Sequence, residues 1–201
     1  MRPILYIVIP CYNEEKVLPV TLPLFRAQRN KMVEEGKIDA QSRLLFVNDG
    51  SRDGTWDFIQ QAAKQYSDVE GIALSRNRGH QNALLAGLME AKDKADITIS
   101  IDCDGQDDLR AMDAMVDAYC DGCDIVYGVR KARNTDTWFK RTSAEGYYKL
   151  LRWMGVDVVY NHADYRLVSQ KALEAFSDFR EVNIFLRGMF PLVGFRSTSV
   201  Y

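Results

Sequence analysis

The sequence predicts an α/β fold in which a mostly parallel sheet is flanked by helices on both faces. Three observations carry this expectation. Short apolar, β-branched runs alternate with longer helix-patterned segments from Ile4 to Gly128, the rhythm of successive β-α units. The runs are apolar throughout rather than every second residue, as strands buried on both faces are. Polar residues gather immediately after four of the runs, at Pro10–Glu14, Asp49–Ser51, Arg76–Asn77 and Asp102–Asp104. In an open α/β sheet, ligands bind beyond the carboxyl ends of the strands.

Each element has its own grounds. Ile4–Ile9 reads as the first strand. Glu14–Glu35 reads as a helix whose first turns are delayed or kinked by Pro19 and Pro23, because proline removes a donor and crowds the preceding turn. Leu44–Asn48 is the next strand and Asp53–Tyr66 the next helix. Gly71–Ser75, Gly79–Lys92 and Ile97–Ile101 continue as strand, helix and strand. Asp107–Asp121 then reads as a helix and Asp124–Gly128 as a strand.

After Gly128 the rhythm changes. Arg130–Arg141 is basic with little apolar pattern and reads as a loop, with Trp138 and Phe139 inside it. Thr142–Met154 is helix-patterned, and Asn161–Val168 is irregular and then strand-like. Lys171–Phe176 and Val182–Phe190 read as helices, and Val193–Tyr201 as strand-like.

Composition narrows the function classes. The chain has 201 residues, 47% hydrophobic and 27% charged, which suits a globular domain and excludes a disordered tail or a collagen-like repeat. The net charge of −2 argues against nucleic acid as the partner. The longest apolar runs, such as Ile4–Cys11 and Ala83–Leu88, are far short of a membrane span. Met1-Arg2-Pro3 leads straight into a strand without the pattern of a signal peptide, so the expected compartment is the cytoplasm. The cysteines are Cys11, Cys103, Cys120 and Cys123. Cys120 and Cys123 have CxxC spacing, but no second cysteine pair exists and His80 and His162 each stand alone. A structural zinc needs about four ligands, so the pair reads as a helix end closed by Gly122.

The polar clusters suggest chemistry. Asp102 and Asp104 are two residues apart at a strand end, so in extended chain both carboxylates point the same way. Mg²⁺ or Mn²⁺ is commonly held by one or two carboxylates together with substrate phosphates, and Gln106 offers an amide oxygen. The competing reading is a polar turn at Asp104-Gly105. Proximity to the other three clusters favours the metal. Ser51 or Asp53 reads as a helix cap. Asp49 instead projects into the crevice, where it can accept from a base N–H or a ribose hydroxyl. Neither G-x-G-x-x-G nor G-x-x-x-x-G-K-[ST] is present, which removes the common nicotinamide and P-loop signatures.

Four ordered motifs resemble family 2 glycosyltransferases of the GT-A fold. They are Ile9–Glu15, Val47–Thr55, Arg76–Gly79 and Asp102–Asp107. Within that family the chain is most similar to the polyprenyl-phosphate branch, which includes dolichyl-phosphate mannosyltransferases and bacterial undecaprenyl-phosphate glucosyltransferases. Asp164-Tyr165-Arg166-Leu167, Leu186-Arg187-Gly188 and Val193-Gly194-Phe195-Arg196 resemble later segments of the same branch. The resemblance covers nearly the whole chain. It implies one GT-A domain over residues 1–201, with a nucleotide-sugar-binding part at 1–128 and an acceptor-side part at 129–201.

The resemblance also implies roles. Pro10, Tyr12, Asn13, Glu14, Asp49, Arg76 and Asp102 would bind a donor such as UDP-glucose or GDP-mannose. Asp102, Asp104 and Gln106 would hold Mg²⁺ or Mn²⁺ on its diphosphate. Asp164 and Arg166 would be catalytic, or would orient the acceptor. Arg130, Arg133 and Arg187 would bind a polyprenyl phosphate at the inner face of a membrane. A single attack would invert the anomeric carbon. A saccharide acceptor, or a non-catalytic nucleotide-sugar-binding module, is the alternative. Two departures stand out. Cys103 and Gly105 replace the Ala and Leu frequent in the branch's aspartate motif. The basic segment, amphipathic helices and transmembrane helices usual at the C-terminal side are missing, so the expectation is a piece of a longer membrane protein or a natural short form.

Overall fold

The computed structural model describes residues 2–129, 162–179 and 186–201. Strand β1 (Leu5–Cys11) leads to α1 (Leu18–Glu34), β2 (Arg43–Asn48), α2 (Thr55–Gln65) and β3 (Val69–Ala73). Then come α3 (His80–Ala91), β4 (Ile97–Ser100), α4 (Ala111–Cys120) and β5 (Ile125–Val129). The later elements are β6 (His162–Ser169), α5 (Gln170–Ser177), the short α6 (Leu186–Met189), a 3-10 turn at Phe190–Val193, and β7 (Ser197–Val200). The basic run at 130–141 and the expected helix at 142–154 lie outside the described residues.

The seven strands form one sheet in the order β3-β2-β1-β4-β6-β5-β7. β1 pairs in parallel with β2 and β4, β2 with β3, and β5 with β7. Among the described strands only β6 runs against the rest, antiparallel to both β4 and β5. The sheet is therefore mostly parallel, as the apolar runs predict. The strand order reverses between β1 and β4, which makes the carboxyl ends of these two strands the ligand crevice of the fold.

Both faces are covered. Leu5, Ile7, Ile9 and Ile99 pack with Leu22 and Phe25 of α1, Ile59 of α2 and Met115 of α4 on one side. Tyr6, Val8, Leu45 and Val47 pack with Leu84 and Leu88 of α3, Leu173 and Phe176 of α5, and Phe190 on the other. Alternate residues of one strand thus feed two cores, which is why the strand sequences are apolar at every position.

α1 and α4 each begin four residues later than the sequence suggests. Val17 and Leu18 both donate to the Glu14 carbonyl, and a proline occupies the first turn of α1, where its missing N–H costs nothing. α4 starts at Ala111 rather than Asp107 because Asp108 accepts from the Arg110 N–H and holds a separate turn. Of the helix expected over Val182–Phe190, residues 182–185 lie outside the described residues; Leu186–Met189 is helical, and Phe190 and Pro191 belong to the tighter turn after it.

α3 lies very close to the sheet. A Cβ at Gly87 would sit 2.4 Å from Val8 Cγ1 and 2.7 Å from Val47 Cγ2. Gly87→Ala should overpack this contact by more than alanine's helix preference returns, a net loss of ~1–2 kcal/mol. Urea unfolding of the variant against the parent chain measures it.

Candidate active site

The first two polar clusters hold each other in place. Asn13 has φ 56, a left-handed conformation that asparagine tolerates. Its backbone N–H donates to Ser51 Oγ at 3.0 Å, and its Oδ1 accepts from the Arg52 N–H at 2.9 Å. The Glu14 N–H donates to Thr55 Oγ1 at 2.7 Å, and Glu15 Oε2 accepts from the Gly54 N–H at 2.7 Å. Ser51 is therefore not a helix cap, because its hydroxyl serves the loop after β1. Asp53 accepts from the Thr55 N–H at 3.1 Å at the start of α2.

Asp49 joins the second cluster to the third. It is buried at the end of β2. Oδ1 accepts from the Arg78 N–H at 2.7 Å and Oδ2 from the Gly79 N–H at 3.0 Å. Gly50, at φ +64, lets this loop close. A Cβ there would lie 2.4 Å from both the Arg76 carbonyl carbon and the Asn77 nitrogen. Asp49 thereby fixes the start of α3, and each of its oxygens keeps a second lone pair directed elsewhere.

These loops surround an open cavity of about 280 Å³. Pro10, Tyr12, Glu14, Asp49, Asp102 and Asp104 line it, together with His80. Asn13, Arg76 and Gln106 are not among the lining residues. Asn13 is bonded to the Ser51-Arg52 loop, and Arg76 is exposed with its backbone against Gly50. The Gln106 N–H closes an Asx turn on Asp104 Oδ1 at 2.9 Å. Among the described residues no three His, Cys, Asp or Glu side chains gather as a metal cage.

β6 supplies the rest. Because it runs antiparallel, its first residues reach the edge where β1, β2 and β4 end. The register pairs Ser100 with Arg166. Continued by two residues, the same register sets Asp164 opposite Asp102. Asp164 is buried and receives four side chains. Arg166 Nη2 donates to Oδ1 at 2.6 Å and Arg187 Nε to Oδ1 at 3.3 Å. Gln81 Nε2 donates to Oδ2 at 3.0 Å, and His80 Nε2 lies 3.1 Å from the same oxygen. Ser100 Oγ also donates to the Asp164 carbonyl.

The charges reflect this packing. Burial pushes the Asp164 carboxyl up, but His80, Arg166 and Arg187 outweigh burial and hold it far below the usual carboxylate range. Arg166 is fully buried, and burial lowers its pKa against the pull of Asp164. Its guanidinium also lies 5.0 Å from the Phe190 ring centroid. Burial raises Asp102, and neighbouring Asp107, Asp104 and Asp164 add to the rise while His80 opposes it. Such crowded negative charge is relieved by a dication, so the donor set of Asp102 and Asp104 fits Mg²⁺ or Mn²⁺ with phosphate and water completing the shell.

Asp164, Arg166 and Arg187 thus meet at one point, beside Asp102. Arg130 and Arg133 lie outside the described residues. Sequence reasoning misses His80 and Gln81. His80 stands alone in the sequence, yet its Nε2 is 3.1 Å from Asp164 Oδ2 and 3.7 Å from Asp102 Oδ1. Its position directly after the third polar cluster is the available signal.

Comparison with known proteins identifies the family. Residues 6–176 match the family model described as glycosyl transferase family 2. An uncharacterised glycosyltransferase of Bacillus subtilis, YkoT, is 46% identical over 199 residues, which is 99% of this chain and 59% of the relative. The bactoprenol glucosyl transferase of Shigella phage SfV is 33% identical over 189 residues, 94% of this chain and 59% of the relative. The chain therefore spans somewhat under two thirds of the length of these relatives. In structure it resembles a Pyrobaculum calidifontis mannosyltransferase solved with GDP-Man and Mn²⁺, with a TM-score of 0.63 and 18% identity, covering 100% of this chain and 55% of that one. That likeness concerns the fold, which is GT-A. The family match spans most of the sequence and the fold agrees with it, so the chain belongs to the family 2 glycosyltransferases.

Proposed function

We propose that the chain is the catalytic part of an inverting, metal-dependent glycosyltransferase that moves a hexose from a nucleotide-sugar to a polyprenyl phosphate. The observation that carries this reading is that two unlike groups lie side by side, one lining the cavity and one beside it, with His80 within 3.7 Å of Asp102 and 3.1 Å of Asp164. Asp102 and Asp104 follow β4, Asp164 and Arg166 come from β6, and Arg187 comes from α6.

The donor side is the cavity lined by Pro10, Tyr12, Glu14 and Asp49, with Tyr12 partly exposed for stacking. Asp102 and Asp104 would hold the cation, which supplies charge stabilisation to the departing diphosphate. Gln106 is placed one turn away. UDP-glucose is the first donor to try and GDP-mannose the second, since relatives are named bactoprenol glucosyl transferases.

The setting of Asp164 supports a phosphate acceptor over a hydroxyl one. A hydroxyl acceptor needs a general base whose pKa lies near neutrality. Asp164 is held far below that by two guanidinium groups and His80, which makes it a weak base. A phosphate monoester, with its second pKa near about 6, is already an anion and needs no deprotonation. It needs cations and orientation, which the exposed side of Arg187 offers. Arg130 and Arg133 would add to this, and the lipid would place the site at a membrane face. Among the described residues no helix is long and apolar enough to cross a membrane.

Calorimetric titration with UDP, GDP and their sugars tests the donor half, with Mg²⁺ or Mn²⁺ and again with EDTA. One nucleotide is expected to bind, only with the cation. Transfer is then assayed to undecaprenyl phosphate in detergent micelles and to free saccharides, with the anomer read by NMR. Transfer to the saccharides alone would overturn the acceptor, and absence of any nucleotide binding would overturn the whole reading.

A further inference from the structure

We infer that His80 is a positioning residue that ties the acceptor-side carboxylate, Asp164, to the donor cavity. The inference rests on the glycosyltransferase reading above and adds a residue to it.

Four side chains hold the Asp164 carboxylate: Arg166, Arg187, Gln81 and His80. Of these only His80 also lines the donor cavity. Its Nε2 stands 3.1 Å from Asp164 Oδ2 and 3.7 Å from Asp102 Oδ1, so one ring nitrogen faces a carboxylate from each half of the site. Asp102 follows β4 by two residues and Asp164 lies on its antiparallel neighbour β6, and the register of the two strands, continued by two residues, sets them opposite each other. Unscreened, they would repel.

His80 is itself placed by the donor side. It is the first residue of α3, and the residue before it, Gly79, is bonded through its N–H to Asp49 Oδ2. A continuous line therefore runs from Asp49 through the Arg78-Gly79 backbone and His80 to Asp164. The next residue reinforces it. Gln81 donates to Asp164 through Nε2 while its Oε1 accepts the Leu186 N–H at 3.2 Å, fixing the short helix that carries Arg187.

The consequence concerns orientation rather than donor affinity. Arg166 reaches Oδ1, Gln81 and His80 reach Oδ2, and Arg187 spans both oxygens through Nε and Nη2. Removing His80 leaves the carboxylate paired with Arg166, Arg187 and Gln81 but takes away its one contact from the donor-cavity side, so its orientation toward the donor is set by the arginines and Gln81 alone. The side chain of His80 is 43% exposed, so its loss leaves no buried hole.

The experiment compares the parent chain with His80→Ala, His80→Phe and His80→Gln, using UDP-glucose or GDP-mannose with Mn²⁺ and undecaprenyl phosphate in micelles. His80→Ala and His80→Phe should lower kcat roughly 10–100-fold, the usual effect of removing a group that orients a first-contact residue. KM for the nucleotide-sugar should be little changed. His80→Gln, which keeps an N–H donor, should recover most of the loss. Circular dichroism establishes that each variant is folded at the assay temperature. Parental kcat in His80→Ala overturns the inference. So does equal activity of His80→Phe and His80→Gln, which would show that ring volume rather than the hydrogen bond matters. If the parent chain neither binds nor transfers any nucleotide-sugar, the proposed function itself has failed and the inference falls with it.

Discussion

Asp164→Asn is expected to destabilise the protein by ~3–5 kcal/mol, the cost of stripping one partner from a buried ion pair. The reason lies in Arg166. Its side chain is completely buried, and among the described residues Nε and Nη1 have no hydrogen-bond partner. Asp164 is therefore the near counter-charge of a cation that water cannot reach. Asparagine keeps the shape and removes the charge. Arg166→Met should cost less, because it removes the costly group itself and leaves Asp164 with His80, Gln81 and the half-exposed Arg187. Urea unfolding of both variants gives the order, and a larger loss in Arg166→Met would show that Asp164 is not the critical partner.

The same pair sets an acid limit. The folded pKa of Asp164 is depressed, so its contribution to stability is present above the unfolded carboxylate value of about 4. It is lost as pH falls through the lower folded value. The parent chain should lose stability on acidification below about pH 4, and Asp164→Asn should lose less over the same interval. Thermal midpoints across that range read both curves.

The second large effect concerns Asp104 and Asp102. Asp104 is exposed at the cavity rim, so Asp104→Ala should leave the fold intact while lowering kcat on the order of 10²–10³-fold, as loss of one transition-state charge contact does. Cation-dependent nucleotide binding should weaken with it. Asp102→Asn should behave differently in the cation-free protein. Asp102 is partly buried among Asp104, Asp107 and Asp164, and neutralising it removes repulsion at the cost of a long His80 contact. Its cation-free melting temperature should be at or above that of the parent, with Mn²⁺-dependent stabilisation lost. A variant that still gains stability from Mn²⁺ and nucleotide would place the cation elsewhere.

Much of this site can be read in the chain itself. Asp102 and Asp104 share a strand end, and Tyr12, Glu14 and Asp49 come after two other strands. Local periodicity and the rule that ligands sit beyond parallel strand ends bring them together without coordinates. Local pattern leaves Ser51 and Asp53 as equal cap candidates, of which only Asp53 bonds at the start of α2, and it leaves His80 alone. Both gaps arise because a side chain's hydrogen-bond partner is decided by which loop folds over it. Ser51 meets the Asn13 N–H from 38 residues away, and His80 meets Asp164 from 84 residues away.

The α/β class, the two-sided burial of the strands and the crevice-facing polar clusters are all written locally in the chain. Each depends on periods of two to four residues and on the residues just beyond a strand end. The position of β6 is not written there. An apolar run does not encode its direction or its neighbours, and β6 enters antiparallel between β4 and β5. That single reversal puts the start of β6, rather than its end, at the ligand edge. It sets Asp164 against Asp102, buries Arg166 beneath them and leaves His80 between the two carboxylates, because only strand pairing across the sheet closes those distances.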